Sequence, residues 1–494
     1  MGSFSPALTF FLDRMQGYST NIFRIESHAK SSAVAGDVIV FDIPSNAIVN
    51  LRSLKVFFNA SANKNTAANS GARLPPVQDL FERVEVSVGG IILSQGTNFI
   101  NVLTEAKKAL EGDHTDVVLG HPEYVRETSY VNKADFANGV NEEYTMADND
   151  PLFCVDRFEG FLGTAEPRLL DTSILPEMRI RITLATNNVL STSTGVGLGP
   201  GAGAFADTTG SAGVGHTGSG PPRSANPKTG AKYELTDIHA TIECIGLADQ
   251  TYDNMISAMM SQQGFLEIPY KSYDCFTDTH TGSSRFTVST QSLDRVWVAW
   301  RDKDYDSQDT PIIVEGYKTS GAFAGLQANS NNDADNQVDI GKPQFDVGGS
   351  LNTNKEKYVG RYFNFVEPMA HNAAHSSGLG WKAQLQLNGA YYPQFAASLP
   401  ELYGITKNSL QSRKCKDMSL RQYQKNYCVQ CFRLNLIDSE QQRLLSGLDT
   451  RSVNLQGILS TTSANTATNP YVTIFTESTS TLRVGPGRSV EVIN

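Results

Sequence analysis

The chain has 494 residues, too many for one ordinary hydrophobic core, so two domains, at most three, are expected. Hydrophobic residues at 40% and charged residues at 19% exclude a disordered chain. A net charge of −10 excludes a surface that wraps nucleic acid through many phosphate contacts, and no sequence-specific nucleic-acid binding is expected.

At the N-terminus the apolar run Phe10, Phe11 and Leu12 ends at Asp13 and Arg14, too soon for the core of a signal peptide. No stretch approaches the roughly 18 apolar residues of a spanning helix. From there, period-2 alternation dominates. Strands are expected over residues 37–43 and 54–60, and then where Val84, Val86 and Val88 alternate with Glu85 and Ser87. A helix follows, with Phe99, Leu103, Ala106 and Leu110 on one face and Thr97 or Asn98 as its cap. Ile180, Ile182 and Leu184 alternate with Arg179, Arg181 and Thr183, and Ile238, Ala240, Ile242 and Cys244 with His239, Thr241 and Glu243. A second helix over 250–262 carries Met255, Ile256, Met259 and Met260, read as core at a junction between domains. Further strands are expected at 295–300, 383–387, 427–436, 471–476, 482–484 and 489–493. Many short strands with one polar and one apolar face, and few helices, predict an all-β protein of the sandwich or jelly-roll type.

Two long polar insertions interrupt this pattern, at 187–232 and 302–357. The first carries glycines at 195, 197, 199, 201 and 203. A phosphate-cradling loop needs a helix after it, and here a strand follows, so the segment reads as surface loop. The six cysteines are too sparse for a disulfide framework. Cys428-x-x-Cys431 lacks a second pair at zinc spacing and reads as buried thiols in a reducing compartment. His371 and His375 stand four apart without the glutamate of the metalloprotease pattern. Asp333, Asp335 and Asp339 lack the spacing and closing glutamate of a calcium loop. Asn59-Ala60-Ser61 is a glycosylation sequon at the end of a strand. Arg413, Lys414, Lys416 and Arg421 read as a solvated loop. No catalytic, cofactor or metal residues are assigned, and no cofactor or enzymatic activity is expected.

The most informative feature is a duplication. Around Gly89-Gly90 the sequence reads strand, glycine turn, apolar strand, helix. Around Asn388-Gly389 it reads strand, turn, aromatic strand through Tyr391 and Tyr392, then a Leu-rich segment from Leu399. Both turns admit positive φ at their central positions. Each hairpin is followed by a tetrapeptide, identical at three residues, and a strand: Leu170-Asp171-Thr172-Ser173 in the first half, Leu448-Asp449-Thr450-Arg451 in the second. A repeat this long indicates duplicated domains rather than a solenoid. The expected division is an arm at 1–19, one roll at 20–249, a linking helix at 250–263 and a second roll at 264–494.

In four stretches the chain resembles the double jelly-roll major capsid proteins of eukaryotic double-stranded DNA viruses. These are Asp79-Leu80-Phe81-Glu82-Arg83 running into 84–90, and Leu175-Pro176 before 179–184. The other two are 242–249 leading through 250–262 to 265–270, and the closing Gly485-Pro486-Gly487-Arg488-Ser489-Val490-Glu491-Val492. That group includes nucleocytoplasmic large DNA viruses, virophages and polinton-like viruses, the last suggested by the short chain. The resemblance implies a homotrimer whose six rolls form a pseudo-hexagonal capsomer tiling an icosahedral virion shell. The two insertions would form its crown. The arm, with Phe4, Leu8, Phe10, Phe11 and Leu12, would meet neighbouring capsomers, minor capsid or penton proteins, or an inner membrane where one exists. The rival readings are a carbohydrate-binding or carbohydrate-active sandwich, using Trp297 and Trp300, and a penton or spike.

Overall fold

The structure, a computed structural model, describes residues 18–63, 70–111, 152–194, 232–247, 264–301, 312–315, 357–368, 381–410, 427–435 and 447–494, short breaks apart, and a few isolated positions between them. The alternating stretches are strands. In the first half these are β1 (Tyr18–Glu26), β2 (Ser32–Val34), β3 (Val38–Asp42), β4 (Ile48–Asn63), β5 (Ser70–Arg73), β6 (Phe81–Val88) and β7 (Ile91–Ile92). Helix α1 (Ile100–Glu111) comes next, then β8 (Leu152–Val155) and a single helical turn, α2 (Phe161–Thr164). The half ends with β9 (Leu169–Asp171), β10 (Met178–Leu184), β11 (Ser191–Thr194) and β12 (Lys232–Leu247).

One sheet has the order β1-β12-β4-β8 and another β3-β10-β6-β7, all pairs antiparallel. The chain therefore changes sheet at almost every connection, the winding of a jelly roll. Alternate residues of both sheets turn inward to one core: Val49, Val56 and Phe58 from the first, Phe41, Ile180 and Ile182 from the second. Each such side chain contributes about 1.5–3 kcal/mol by leaving water.

The second half repeats the plan with β13 (Leu266–Thr279), β14 (Ser283–Val288), β15 (Leu293–Arg301), β16 (Ile312–Glu315), β17 (Lys357–Val359), β18 (Lys382–Leu387) and β19 (Ala390–Ser398). Helix α3 (Leu399–Ser409), β20 (Val429–Arg433), β21 (Leu455–Thr462), β22 (Tyr471–Gly485) and β23 (Ser489–Ile493) complete it. Its sheets run β13-β22-β15-β20 and β14-β21-β18-β19, matching the first roll strand for strand. Among the described strands none from one half pairs with one from the other.

The duplicated motifs occupy equivalent places. Gly89 and Gly90 (φ 58° and 85°) and Asn388 and Gly389 (φ 48° and 84°) make the same tight hairpin. The two Leu-Asp-Thr segments also do the same work. Leu170 lies opposite Val49 at the start of β4, and Leu448 opposite Leu293 at the start of β15. Asp171 Oδ1 and Asp449 Oδ1 each accept the backbone N–H two residues on, at 2.8 and 3.0 Å. Thr172 Oγ1 accepts from Ala47 N (3.1 Å) and donates to Pro44 O or Ala47 O (2.8 Å each). Thr450 Oγ1 accepts from Thr290 N (2.8 Å) and donates to Thr290 O (3.1 Å). Each threonine clamps the entry to its roll's long central strand.

Several expectations change in detail. Residues 471–476 and 482–484 belong to one strand, β22. The expected strand at 427–436 shortens to β20, and β1, which has no clean alternation, begins at Tyr18. The helix cap is Phe99, which has φ 56° and accepts the first helical N–H bonds through its carbonyl. Phe99 therefore precedes the helix, with its ring partly buried against the core. The Leu-rich segment is α3, opened by a capping box in which Glu401 accepts from Ser398 N and Oγ at 2.7 Å each. The insertions begin with order: β11 pairs with β5, and β16 with β17. Residues 195–231 and 316–356 lie outside the described residues, as do 1–17 and most of 250–262, where Ile256, Ala258, Ser261 and Gln262 are helical.

Candidate functional site

The rolls meet along a seam with a charged centre. The outer face of β13, β22 and β15 in the second roll presents Tyr273, Glu477, Arg295, Trp297 and Arg301, because these residues share one side of neighbouring strands in the register Tyr273–Glu477–Arg295. Helix α1 of the first roll lies against them. Its Lys107 donates to Glu159 Oε2 at 2.7 Å and to the Tyr273 hydroxyl at 2.9 Å, with its ammonium 4.5 Å from the Tyr273 ring centroid and 5.7 Å from that of Trp297. Trp297 Nε1 donates to Glu477 Oε2 at 3.0 Å, and Arg295 Nη1 lies 3.6 Å from Glu477 Oε1.

Burial alone would neutralise both charges. It pulls the Lys107 ammonium down, yet Glu159, Tyr273 and Glu477 more than reverse this and hold it well above the ordinary lysine range. Burial likewise pushes Glu477 up, and Arg295, Lys107 and Lys271 overcome it, so its carboxyl sits below the usual value. The two shifts agree that cation and anion coexist. Tyr273 stays a neutral phenol, raised first by burial.

A second polar cluster lies beside the first. Lys271 Nζ reaches Asp294 Oδ2 (2.7 Å) and Thr479 Oγ1 (2.8 Å), and Thr479 Oγ1 donates to Asp294 Oδ2 at 2.6 Å. Backbone bonds stitch the rolls directly: Lys271 N donates to Thr164 Oγ1 (2.8 Å) and Glu166 N to Pro269 O (3.0 Å). Tyr270 reaches across with its hydroxyl to Leu93 O at 2.5 Å and its ring edge-on to Phe161 at 5.2 Å. At the far end Arg301, 1% exposed, is stacked among Tyr305 (3.8 Å), Tyr471 (5.1 Å), Tyr362 (5.2 Å) and Phe99 of the first roll (5.8 Å). These contacts can fix one roll against the other; they offer no nucleophile beside a base.

The residues weighed from the sequence fall elsewhere. Trp297 and Trp300 are 1% and 0% exposed, so neither can line a sugar groove; Trp300 packs edge-on against His280 and Trp381. Cys428 and Cys431 are buried thiols outside any disulfide, the first raised by burial. Asn59 is half-buried within β4, paired with Leu152 and Thr236. His371, His375, Asp333, Asp335, Asp339, Arg413, Lys414, Lys416 and Arg421 lie outside the described residues. Among the described residues no three His, Cys, Asp or Glu side chains gather as metal ligands, and no helix is long and apolar enough to cross a membrane. The sequence reading missed Lys107, Glu159, Tyr273 and Glu477. The one available signal was a lysine within the apolar helix face, next to Ala106 and one turn from Leu103.

No protein-family model matches the sequence, and comparison with curated proteins gives no match. Two solved structures are similar over almost the entire chain. One is PBCV-1 VP54 fitted into a cryo-EM reconstruction of the virophage Sputnik; the other is the quasi-atomic model of the PBCV-1 virus capsid. Each has a TM-score of 0.51 and 14% identity, and covers 97% of this chain and 98% of the other. The chain is a double jelly roll. The likeness spans both rolls and their connection, and at such low identity it concerns the fold. In this chain the seam joins the helix-bearing side of the first roll to the outer sheet face of the second.

Proposed function

We propose that the chain is the major capsid protein of an icosahedral double-stranded DNA virus, a structural protein that assembles as homotrimeric capsomers. The observation that carries the reading is the pair of rolls joined head to tail. α1 of roll one covers a sheet of roll two, so two different surfaces meet. Such heterologous contacts propagate into rings when the rotation closes. Six rolls from three copies would make a ring with pseudo-sixfold outline, the shape a shell tile needs. The similarity to the PBCV-1 virus capsid over 97% of the chain supports the same role.

The proposed division is an arm ahead of β1, which draws the expected limit of 19 back to Tyr18, a first roll running to 249, a linker, and a second roll at 264–494. The arm would contact neighbouring capsomers, minor capsid or penton proteins, or an inner membrane. The insertions would form the outer crown, and the chain's location is the virion. Sedimentation of the purified protein at neutral pH tests the proposal, with negative-stain imaging of the same sample. A trimer with hexagonal outline is expected; a stable monomer at micromolar concentration would overturn it.

A further inference from the structure

We propose that the open edge of strand β1 takes residues 7–15 of the same chain as an added antiparallel strand, so that the N-terminal segment folds back on the first roll. This goes beyond the capsomer reading and does not depend on it.

Register makes β1 and β13 equivalent strands. Ile22 lies opposite Glu243, and Glu243 opposite Asn50; Tyr273 lies opposite Glu477, and Glu477 opposite Arg295. Both rows stand beside the leucine pair of the Leu-Asp-Thr clamp, so Ile22 corresponds to Tyr273, Thr20 to Lys271 and Tyr18 to Pro269. Each strand pairs with one neighbour, β1 with β12 and β13 with β22, which leaves a second edge of backbone N–H and C=O groups. In β13 the first roll meets that edge: Lys271 N donates to Thr164 Oγ1 at 2.8 Å, and Glu166 N to Pro269 O at 3.0 Å. At Ile22, on the same alternation, the N–H bonds the side chain of Asn21 (Oδ1, 2.9 Å).

Among the described residues no backbone bond from outside its sheet reaches β1. Every residue from Ser19 to Arg24 is exposed, Ile22 by 70% and Phe23 by 46%. Successive strand residues point to opposite faces, so a partner laid on one face would bury Ile22 or Phe23 and leave the other in water. A strand added along the edge sets a side chain beside each of them.

The occupant is the segment that runs straight into β1. Residues 1–17 lie outside the described residues and end where β1 begins, at Tyr18. They carry Phe10, Phe11 and Leu12 in succession, apolar on both faces of an extended chain, which is what Ile22 and Phe23 require. A two-residue reversal at Gln16-Gly17, with glycine supplying positive φ at the second position, pairs 7–15 with 18–26. That register covers all of β1 and sets Phe11 opposite Ile22 and Phe10 opposite Phe23. Pro6, with no N–H to donate, falls just past Glu26, where β1 ends, and residues 1–6 stay available for contacts beyond the roll. Because so short a loop joins segment and edge, the pairing has an effective concentration in the millimolar range or above, which a neighbour's segment must exceed.

Two measurements on the full chain test this. Phe11→Cys/Ile22→Cys treated with a short bis-maleimide should link within one chain. The joined peptides are read by mass spectrometry from a band that still migrates as a monomer under denaturing conditions, and neither single variant should give them. Links that join two chains instead would put a neighbour's segment on the edge and overturn the proposal. Hydrogen–deuterium exchange gives the second readout. Phe10→Asp/Phe11→Asp should speed exchange in the peptide covering β1 by about tenfold, while peptides from β4 and β22 keep wild-type rates and show that the rolls are folded. Unchanged exchange in β1, or no intrachain link, would overturn the proposal whether or not the purified protein is a trimer.

Discussion

Replacing Lys107 by methionine keeps the aliphatic stem in the seam and removes only the charge. The variant loses the 2.7 Å bond to Glu159, the 2.9 Å bond to Tyr273 and the attraction to the two aromatic rings. Breaking one partner out of a fully buried ion pair costs about 3–5 kcal/mol, because the other charge is left stranded. Here two features soften the loss: Glu159 keeps 22% of its side chain in water, and Glu477 retains Arg295 at 3.6 Å. About 2–3 kcal/mol is therefore expected, read from denaturant unfolding of unassembled protein. A cycle with Glu159→Gln separates pairing from packing, with a coupling of about 1–2 kcal/mol expected. If Lys107→Met costs less than about 0.5 kcal/mol and the cycle is additive, the seam is screened by solvent and the reasoning fails.

The duplicated clamp makes a paired prediction. Thr172→Val and Thr450→Val each strand buried backbone groups and should each lose about 1–3 kcal/mol, by similar amounts in thermal or denaturant unfolding; a cost in one roll and none in the other would show that the motifs are not equivalent. Acid stability carries a third prediction. Burial pushes His280 down to about 4, outweighing the pull of Asp278 in the other direction, while its ring nitrogens bond the Ser284 and Thr461 hydroxyls at 2.7 Å each. Between pH 6.5 and 4 the unfolded chain takes up this proton and the folded chain does not, so stability falls with pH by up to about 3 kcal/mol. Burial raises Asp274 to about 6, which acts in the opposite sense over the same window, since there the folded state holds the proton. Comparing wild type with His280→Asn isolates the histidine: the wild type should lose stability faster on acidification, and parallel curves would refute the assignment.

Much of the fold was legible because a sandwich strand buries every second residue. Residues 179–184 and 238–244 announce themselves, and β10 and β12 are where the alternation puts them. The duplication was legible for a different reason: hairpins at Gly89-Gly90 and Asn388-Gly389 need positive φ, and few residues supply it. Residues 477–481 fall between two expected strands, and Glu477, Ser478, Thr479, Ser480 and Thr481 are all polar. In the structure Glu477 and Thr479 face the seam, where Lys107, Arg295 and Lys271 satisfy them. Polarity that would signal solvent along one chain signals burial when a second domain brings the counter-charges.

The same point explains why β1 escaped notice. Ile22 and Phe23 are consecutive apolar residues, 70% and 46% exposed, and no single roll can bury both faces of an edge strand. Alternation is a record of one core. A surface that faces out of its own roll need not follow it, and the residues that break the pattern lie on such surfaces: Glu477, covered by the first roll, and Ile22, which stands exposed. In a protein made of one module used twice, the difference in exposure between equivalent positions is therefore a direct reading of which contacts the chain makes with itself.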